Sequence, residues 1–254
     1  MDGYWITRTF KAGKVGEKVK FFVSGNARRR NKRKEKQAEK KVMQNEASAI
    51  KRMARLLNAN FSAGDCLLTL SYTDQGMERV IGRTGGVVED PEQYKESLKQ
   101  AASKELTNCL RRVKYALDKQ GVENIYIGIT ADIDGKTGEE VRVHHHVIVK
   151  AGTEDAFIKA WQKHGHVHVE HLSKQEDYLP IAVYLCRQVR HQEDAKMYTR
   201  SRNMIVPEGK DRVSHSGNEI RLPKGCRMVQ RNEWRGQYAP QYIRYILPDE
   251  TETE

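Results

Sequence analysis

The chain lacks the devices that staple small proteins or anchor them elsewhere. Its four cysteines, Cys66, Cys109, Cys186 and Cys226, are widely spaced and contain no Cys-x-x-Cys pair. That spacing argues against a disulfide framework and against a zinc knot. No apolar run is long enough to cross a bilayer, so no membrane association is expected. The opening residues, Met1-Asp2-Gly3-Tyr4-Trp5, lack the charged and apolar regions of a secretion signal, and a reducing cytoplasm is expected. No Gly-x-x-x-x-Gly-Lys-Ser/Thr loop occurs, so any strand unwinding must come from a partner. Hydrophobic residues make up only 38% of the 254 positions, and the mean hydropathy is -0.78. The core is therefore modest, enough for one sizeable domain with extensions or for two small ones.

What the chain has is positive charge. Its 45 lysines and arginines face 34 acidic residues, for a net charge of +11, and the pI is about 9.4. This balance suits a polyanionic partner, either nucleic acid or an anionic membrane face. The charge is densest at Arg28, Arg29, Arg30, Lys32, Arg33 and Lys34, and it continues through Lys36, Lys40 and Lys41. Such a block reads as a solvated arm that meets DNA phosphates without reading bases. The segment from Pro207 to Gln237 is basic and turn-rich, with DNA contact as its only expected role. The acidic end, Asp249 to Glu254, reads as a disordered tail.

Between these ends the periodicities change in a definite order. Val42, Ile50, Met53 and Leu57 recur at a helical interval that ends at Asn58-Ala59-Asn60. Cys66 to Tyr72 reads as a buried strand, with Asp74 and Gly76 in a turn after it. A glycine-rich linker at 82–86 leads to Asp90-Pro91, a cap with proline at the first helical position. The stripe Leu98, Ala102, Leu106, Leu110, Val113 and Leu117 makes one long amphipathic helix, and Gly121 stops it. Asn124 to Asp132 is a strand, Asp134 to Gly138 a turn, and Val141 to Val149 the returning strand of a hairpin. Thr153 caps a short helix that ends at Gly165, His166 to Glu170 is a strand, and Pro180 opens a helix to about His191.

The order from Cys66 is β-α-β-β-α-β-α. This predicts an α+β fold with a ferredoxin-like, split βαβ antiparallel sheet and helices on one face, preceded by a basic helical arm. The expected organisation is an arm and helix over 1–60, an enzymatic domain over 61–200, and a basic extension with an acidic tail over 201–254.

The chemistry centres on His144-His145-His146 in that returning strand. Strand alternation puts His144 and His146 on one side and His145 on the other. Two imidazoles on one face suit a divalent cation, and an exposed polar strand is the competing reading. His166-Val167-His168 offers a second such pair, whose plainer reading is a solvated strand end. Downstream, Tyr184, Arg187, Gln188 and His191 share a helix face, at spacings of three, four and seven. A tyrosine with a cation one turn away suits attack on a phosphodiester, with the phenolate as nucleophile and the arginine stabilising charge on the phosphate.

These segments together resemble the HUH (histidine-hydrophobe-histidine) endonucleases, in the branch that initiates rolling-circle replication of phages and plasmids. Leu68-Thr69-Leu70-Ser71-Tyr72 with Asp74 is similar to the first motif of that branch. Arg142-Val143-His144-His145-His146 resembles its metal motif, and Ala182-Val183-Tyr184-Leu185-Cys186-Arg187 its tyrosine motif. Tyr198 to Asn203, with Arg200 and Arg202, looks like a further shared segment. The chain departs from the pattern at His145, where an aliphatic is usual, and at Arg187 and Gln188, where lysine and tyrosine are common.

The resemblance implies a site-specific nickase and strand transferase acting through a covalent 5′-phosphotyrosine on Tyr184, assisted by Arg187. It implies Mg²⁺ or Mn²⁺ held by His144 and His146, with Asp132 as the first choice of third ligand and Asp74 as the second. It implies single-stranded and origin DNA as substrate, contacted by the basic arm, Arg142, Arg200 and Arg202. A host helicase and polymerase in a bacterial cytoplasm would be partners. A relaxase or transposase of the same chemistry, or a non-catalytic nucleic-acid-binding regulator, are the alternative readings.

Overall fold

The computed structural model describes residues 3–24, 38–84, 90–190 and 196–249, with side chains from residue 45 onward in the first helix. The elements follow in chain order as β1 (Gly3–Ala12), β2 (Val15–Ser24), α1 (Ala38–Asn60), β3 (Cys66–Tyr72), α2 (Asp74–Ile81) and α3 (Pro91–Asp118). Then come β4 (Tyr126–Ile133), β5 (Glu140–Val149), α4 (Glu154–Trp161), β6 (Gly165–His171), α5 (Leu179–Cys186) and β7 (Thr199–Arg200). β8 (Lys210–Ser214), β9 (Arg227–Glu233) and β10 (Gln241–Ile246) complete the set. The strands form two antiparallel five-stranded sheets, ordered β6-β3-β5-β4-β7 and β8-β1-β2-β10-β9.

In the β3–β7 sheet, alternation sorts the side chains to two covered faces. Leu68, Leu70, Val147 and Val149 point to one side, where they pack on α2, α3 and α4. Leu67, Ile127, Ile129 and Ile148 point to the other, where they meet α1 and α5. The expectation of helices on one face is thus corrected. Met53, Ala54, Leu56 and Leu57 give α1 an apolar stripe of its own, and burying such a stripe stabilises by roughly 1.5–3 kcal/mol per large side chain. The first helix is therefore part of the core rather than an extension of an arm.

Two further expectations change. Asp74 and Gly76 lie in α2, not in a turn. Thr73 caps that helix by accepting the Gly76 N–H at 3.1 Å. The last helix ends at Cys186, short of the expected His191, which lies outside the described residues. Thr153 does precede α4, but its hydroxyl donates back to the Lys150 carbonyl at 2.7 Å instead of capping the helix.

The second sheet is the largest feature that the sequence reading missed. Residues 3–24 form a hairpin turning at Gly13-Lys14, and it pairs with β8, from the segment read as turn-rich, and with β10 beyond that segment. Gly13 has φ 55°, and a Cβ there would collide with the Asn58 carbonyl, so glycine is required. α1 lies between the sheets. Its Arg55 stacks over Phe10 at 3.5 Å and its Lys51 over Tyr242 at 3.9 Å.

A buried ionic network fixes this junction. Arg244 on β10 is fully buried. It pairs with Glu17 and grips Asp177 with two hydrogen bonds of 2.5 Å. Arg55 reaches the other Glu17 oxygen at 2.6 Å. Asp177 also accepts from Asn58 and from the Leu179 N–H. Burial alone would raise the Asp177 carboxyl, but the Arg244 and Asn58 hydrogen bonds hold it below its ordinary value. Because Asp177 stands at the start of α5, the second sheet anchors the helix that carries Tyr184.

Candidate functional site

β5 lies near the middle of its sheet, between β3 and β4, and its register sets the histidines. His146 stands opposite Thr69 and Ile129, and His144 opposite Ala131, on the face covered by α5. The Nε2 atoms of His144 and His146 approach to 3.2 Å. Hydrogen bonds behind each ring turn them this way. His144 Nδ1–H donates to the Arg142 carbonyl at 2.9 Å. A carbonyl only accepts, so His144 Nε2 is left as a bare lone pair. Thr69 Oγ1 lies 3.1 Å from His146 Nδ1 and holds that ring from the far side.

α5 brings the other groups. The Tyr184 ring centroid sits 5.7 Å from that of His146 at 60°, and Tyr184 is 48% exposed. Gln188 follows just beyond the helix and is buried. Its Nε2 donates to the Tyr184 carbonyl at 3.4 Å, and its Oε1 lies 3.1 Å from His146 Nε2. Three polar atoms thus converge: His144 Nε2, His146 Nε2 and Gln188 Oε1. Neutral His146 meets them in one of two ways: with Thr69 donating to Nδ1, its Nε2–H donates to Gln188 Oε1, and in the other tautomer all three atoms present lone pairs, an arrangement that suits a cation. Burial, with the neighbouring His144 charge, pushes His146 down to about 4, so a proton shared as imidazolium is disfavoured at neutral pH.

Gly135 completes the enclosure. A Cβ at Gly135 would press within 3.2–3.3 Å of Gln188 and Arg187, so glycine lets the β4–β5 turn pack on the end of α5 without shifting those side chains. Arg187 itself is exposed.

His145, on the opposite face, is fully buried. Its Nε2 lies 2.8 Å from Tyr72 Oη and its Nδ1 3.1 Å from Thr130 Oγ1, while Ser103 donates to the same Thr130 oxygen at 3.1 Å. Burial raises the Tyr72 hydroxyl well above its ordinary value, so Tyr72 donates and His145 Nδ1–H passes the bond on to Thr130. Trp161 packs against the imidazole edge-on at 5.3 Å. Burial, with the flanking histidine charges, pushes His145 down to about 3. The middle histidine is a neutral, doubly bonded peg, and it fixes the roll of β5 that presents His144 and His146 to α5.

Asp132, the first choice of third ligand, does not join the histidines. It sits at a register irregularity in β4 and turns toward α3, where it accepts from Lys99 Nζ and from the Arg190 N–H, both at 3.0 Å. Asp74, the second choice, is spent on Arg142 at 2.9 Å. Among the described residues no three His, Cys, Asp or Glu side chains gather closely enough to hold a metal. The third donor here is Gln188, an amide. Its spacing of four from Tyr184 was the signal, obscured by the expectation of a carboxylate.

The remaining sequence-derived residues are dispersed. His166 and His168 lie on edge strand β6, exposed, with His168 beside Glu170 at 3.4 Å. The Arg142 ion pair is exposed and contributes little to stability. Arg200 is half-buried on β7 and Arg202 exposed just beyond it. Arg28, Arg29, Arg30, Lys32, Arg33 and Lys34 lie outside the described residues. Cys109 and Cys186 are buried, which pushes both thiols up to about 12, so neither acts as a thiolate. No described helix is long and apolar enough to cross a membrane. No family model matches this chain, and no curated protein or solved structure matches it.

Proposed function

We propose that this protein is a metal-dependent endonuclease and strand transferase that nicks single-stranded DNA at a specific site and initiates rolling-circle replication. The observation that carries the reading is the convergence of His144 Nε2, His146 Nε2 and Gln188 Oε1 beside the exposed ring of Tyr184. The sheet supports it as well. Numbered one to four in chain order, β3, β4, β5 and β6 appear across the sheet in the order fourth, first, third, second (β6-β3-β5-β4), the pattern of a split βαβ unit whose two connecting helices share a face.

Two imidazoles and an amide oxygen are a fitting donor set for Mn²⁺ or Mg²⁺, and the nitrogen content favours Mn²⁺ of the two. When bound, such a cation polarises the scissile phosphate and stabilises the leaving oxygen. The chain's own groups supply the rest. The Tyr184 oxygen gives up its proton and bonds to phosphorus. The bond from phosphorus to the 3′-oxygen breaks, and that oxygen takes up a proton. The downstream fragment stays on Tyr184 through its 5′-phosphate, as a phosphodiester, so a later 3′-hydroxyl can reverse the step without an external energy source. Arg187, exposed one turn from Tyr184, can grip the non-bridging oxygens as a bidentate donor.

The test is a gel assay with Mn²⁺ and single-stranded DNA from the native replicon. Wild-type protein forms a strand-linked adduct, and Tyr184→Phe binds DNA but forms none. Adduct that survives Tyr184→Phe and disappears in Tyr178→Phe or Tyr198→Phe would remove the assignment.

A further inference from the structure

One cavity stands apart from the site above. It is a cleft of about 1020 Å³ at the outer edge of β4, at the upper end of the range for small-ligand pockets, roughly 300–1000 Å³. β7 pairs with β4 only at Ile127 and Gly128. Past that point no described strand pairs with Ile129 and Thr130 on this side, where the cleft runs between α1 and α3. Five cations line it: Arg52, Lys99, Lys196, Arg200 and Arg202. No carboxylate is among the described lining residues. Lys99 bonds Asp132, and none of the other four has a carboxylate partner among the described residues.

The wall is not only charged. Tyr198, Met197 and Leu106 supply apolar surface, and Thr107 and Ser103 supply hydroxyls. Tyr198 is half-buried and lines the cleft together with Arg52 and Arg200. An aromatic ring sharing a cleft with two guanidinium groups matches the recurring arrangement for one base and its phosphate, in which the base stacks and arginine takes the charge. A purely phosphate-binding patch would not need the ring, and a purely apolar pocket would not carry the unpaired cations.

We propose that this cleft is a subsite for one unpaired nucleotide of the DNA strand, with the base on Tyr198 and the phosphates on Arg52 and Arg200. The proposal rests on the reading of the protein as a single-strand-binding enzyme and names where an additional nucleotide is held. Occupying the edge of β4 would tether the strand beside the sheet that carries His144 and His146.

The experiment is fluorescence anisotropy with labelled octathymidylate and full-length, metal-free protein, so it needs no cleavage and can fail or succeed independently of the nicking assay. Arg52→Gln with Arg200→Gln is expected to weaken binding about tenfold and to make the log–log salt slope shallower by about 1.4, since each lost single-strand phosphate contact removes about 0.7. Tyr198→Leu is expected to weaken it about tenfold and Tyr198→Phe to restore it, because stacking is worth roughly 1–3 kcal/mol per base. Thermal melts check that each variant folds. Lys159→Gln with Lys163→Gln, exposed positions at the end of α4, controls for net charge. An equal loss in that control, or none in the cleft variants, overturns the subsite. Competition by dTMP well below the concentration at which inorganic phosphate competes supports a nucleotide, and equal competition overturns the base-binding half.

Discussion

Replacing His145 by leucine tests whether the middle histidine is a peg or a spare ligand. The two side chains are similar in size, so the change removes hydrogen bonds with little change of volume. Tyr72 Oη is buried and loses its acceptor, while Thr130 keeps Ser103. A buried donor left without a partner costs roughly 1–3 kcal/mol, so His145→Leu should destabilise by about 2 kcal/mol at pH 7. Removing both partners, as Tyr72→Phe with His145→Leu, should recover most of that and give a coupling of about 1–2 kcal/mol. Acid adds a second signature. The folded protein keeps His145 neutral down to about pH 3, whereas the unfolded chain takes up a proton below about 6.5. The unfolded state therefore binds more protons, and stability falls as pH drops below 6.5. This term is about 2 kcal/mol at pH 5, from 1.5 pH units at 1.36 kcal/mol each. Leucine has no such term, so the gap between wild type and variant should nearly close at pH 5. Urea unfolding of metal-free protein at both pH values measures it. Additive single substitutions, or a gap that does not change with pH, would refute the reasoning.

Metal titration by calorimetry should show Gln188→Ala losing Mn²⁺ affinity by about tenfold or more, as loss of a donor or its support does. Asp132→Asn should leave that affinity unchanged, and the reverse result would restore Asp132 as ligand. Glu17→Ala should cost about 2 kcal/mol in urea unfolding because it removes one of the two carboxylates on the fully buried Arg244, which keeps Asp177. A loss under 1 kcal/mol would mean that the junction between sheets is not ionic in origin. Deleting residues 28–41 should weaken binding to all DNA sequences and flatten its salt dependence without moving the cleavage position. New cleavage sites at an unchanged salt slope would show that the arm reads bases.

Local signals proved readable where a short stretch decides its own conformation. Asp90-Pro91 with the Leu98 to Leu117 stripe places α3, and the β-branched residues around the histidines place β5. The pairing of His144 and His146 on one face follows from alternation alone. The same alternation, carried one residue further, would have excluded Asp132, since Ala131 is the residue that pairs with His144. The second sheet was harder because its order is non-local. β2 joins β10 from the far end of the chain, and lysines and arginines among the strand residues masked the apolar pattern. Tyr4 to Phe10 and Val19 to Val23 around Gly13-Lys14 nevertheless carry a hairpin signal. α2 has eight residues with glycine inside, too short and too weak in propensity to stand out. The burial of α1 between two sheets depends on faces that no single window contains.

The central claim is that Tyr184 attacks a phosphodiester beside the His144, His146 and Gln188 donors. Its most direct test is mass spectrometry of protein trapped after Mn²⁺-dependent cleavage of the replicon strand and then digested with trypsin and nuclease. The account predicts a nucleotide mass on the peptide that holds Tyr184, located on that side chain by fragmentation and lost in Tyr184→Phe. A nucleotide on any other tyrosine, or cleavage in which no tyrosine carries one, would contradict it.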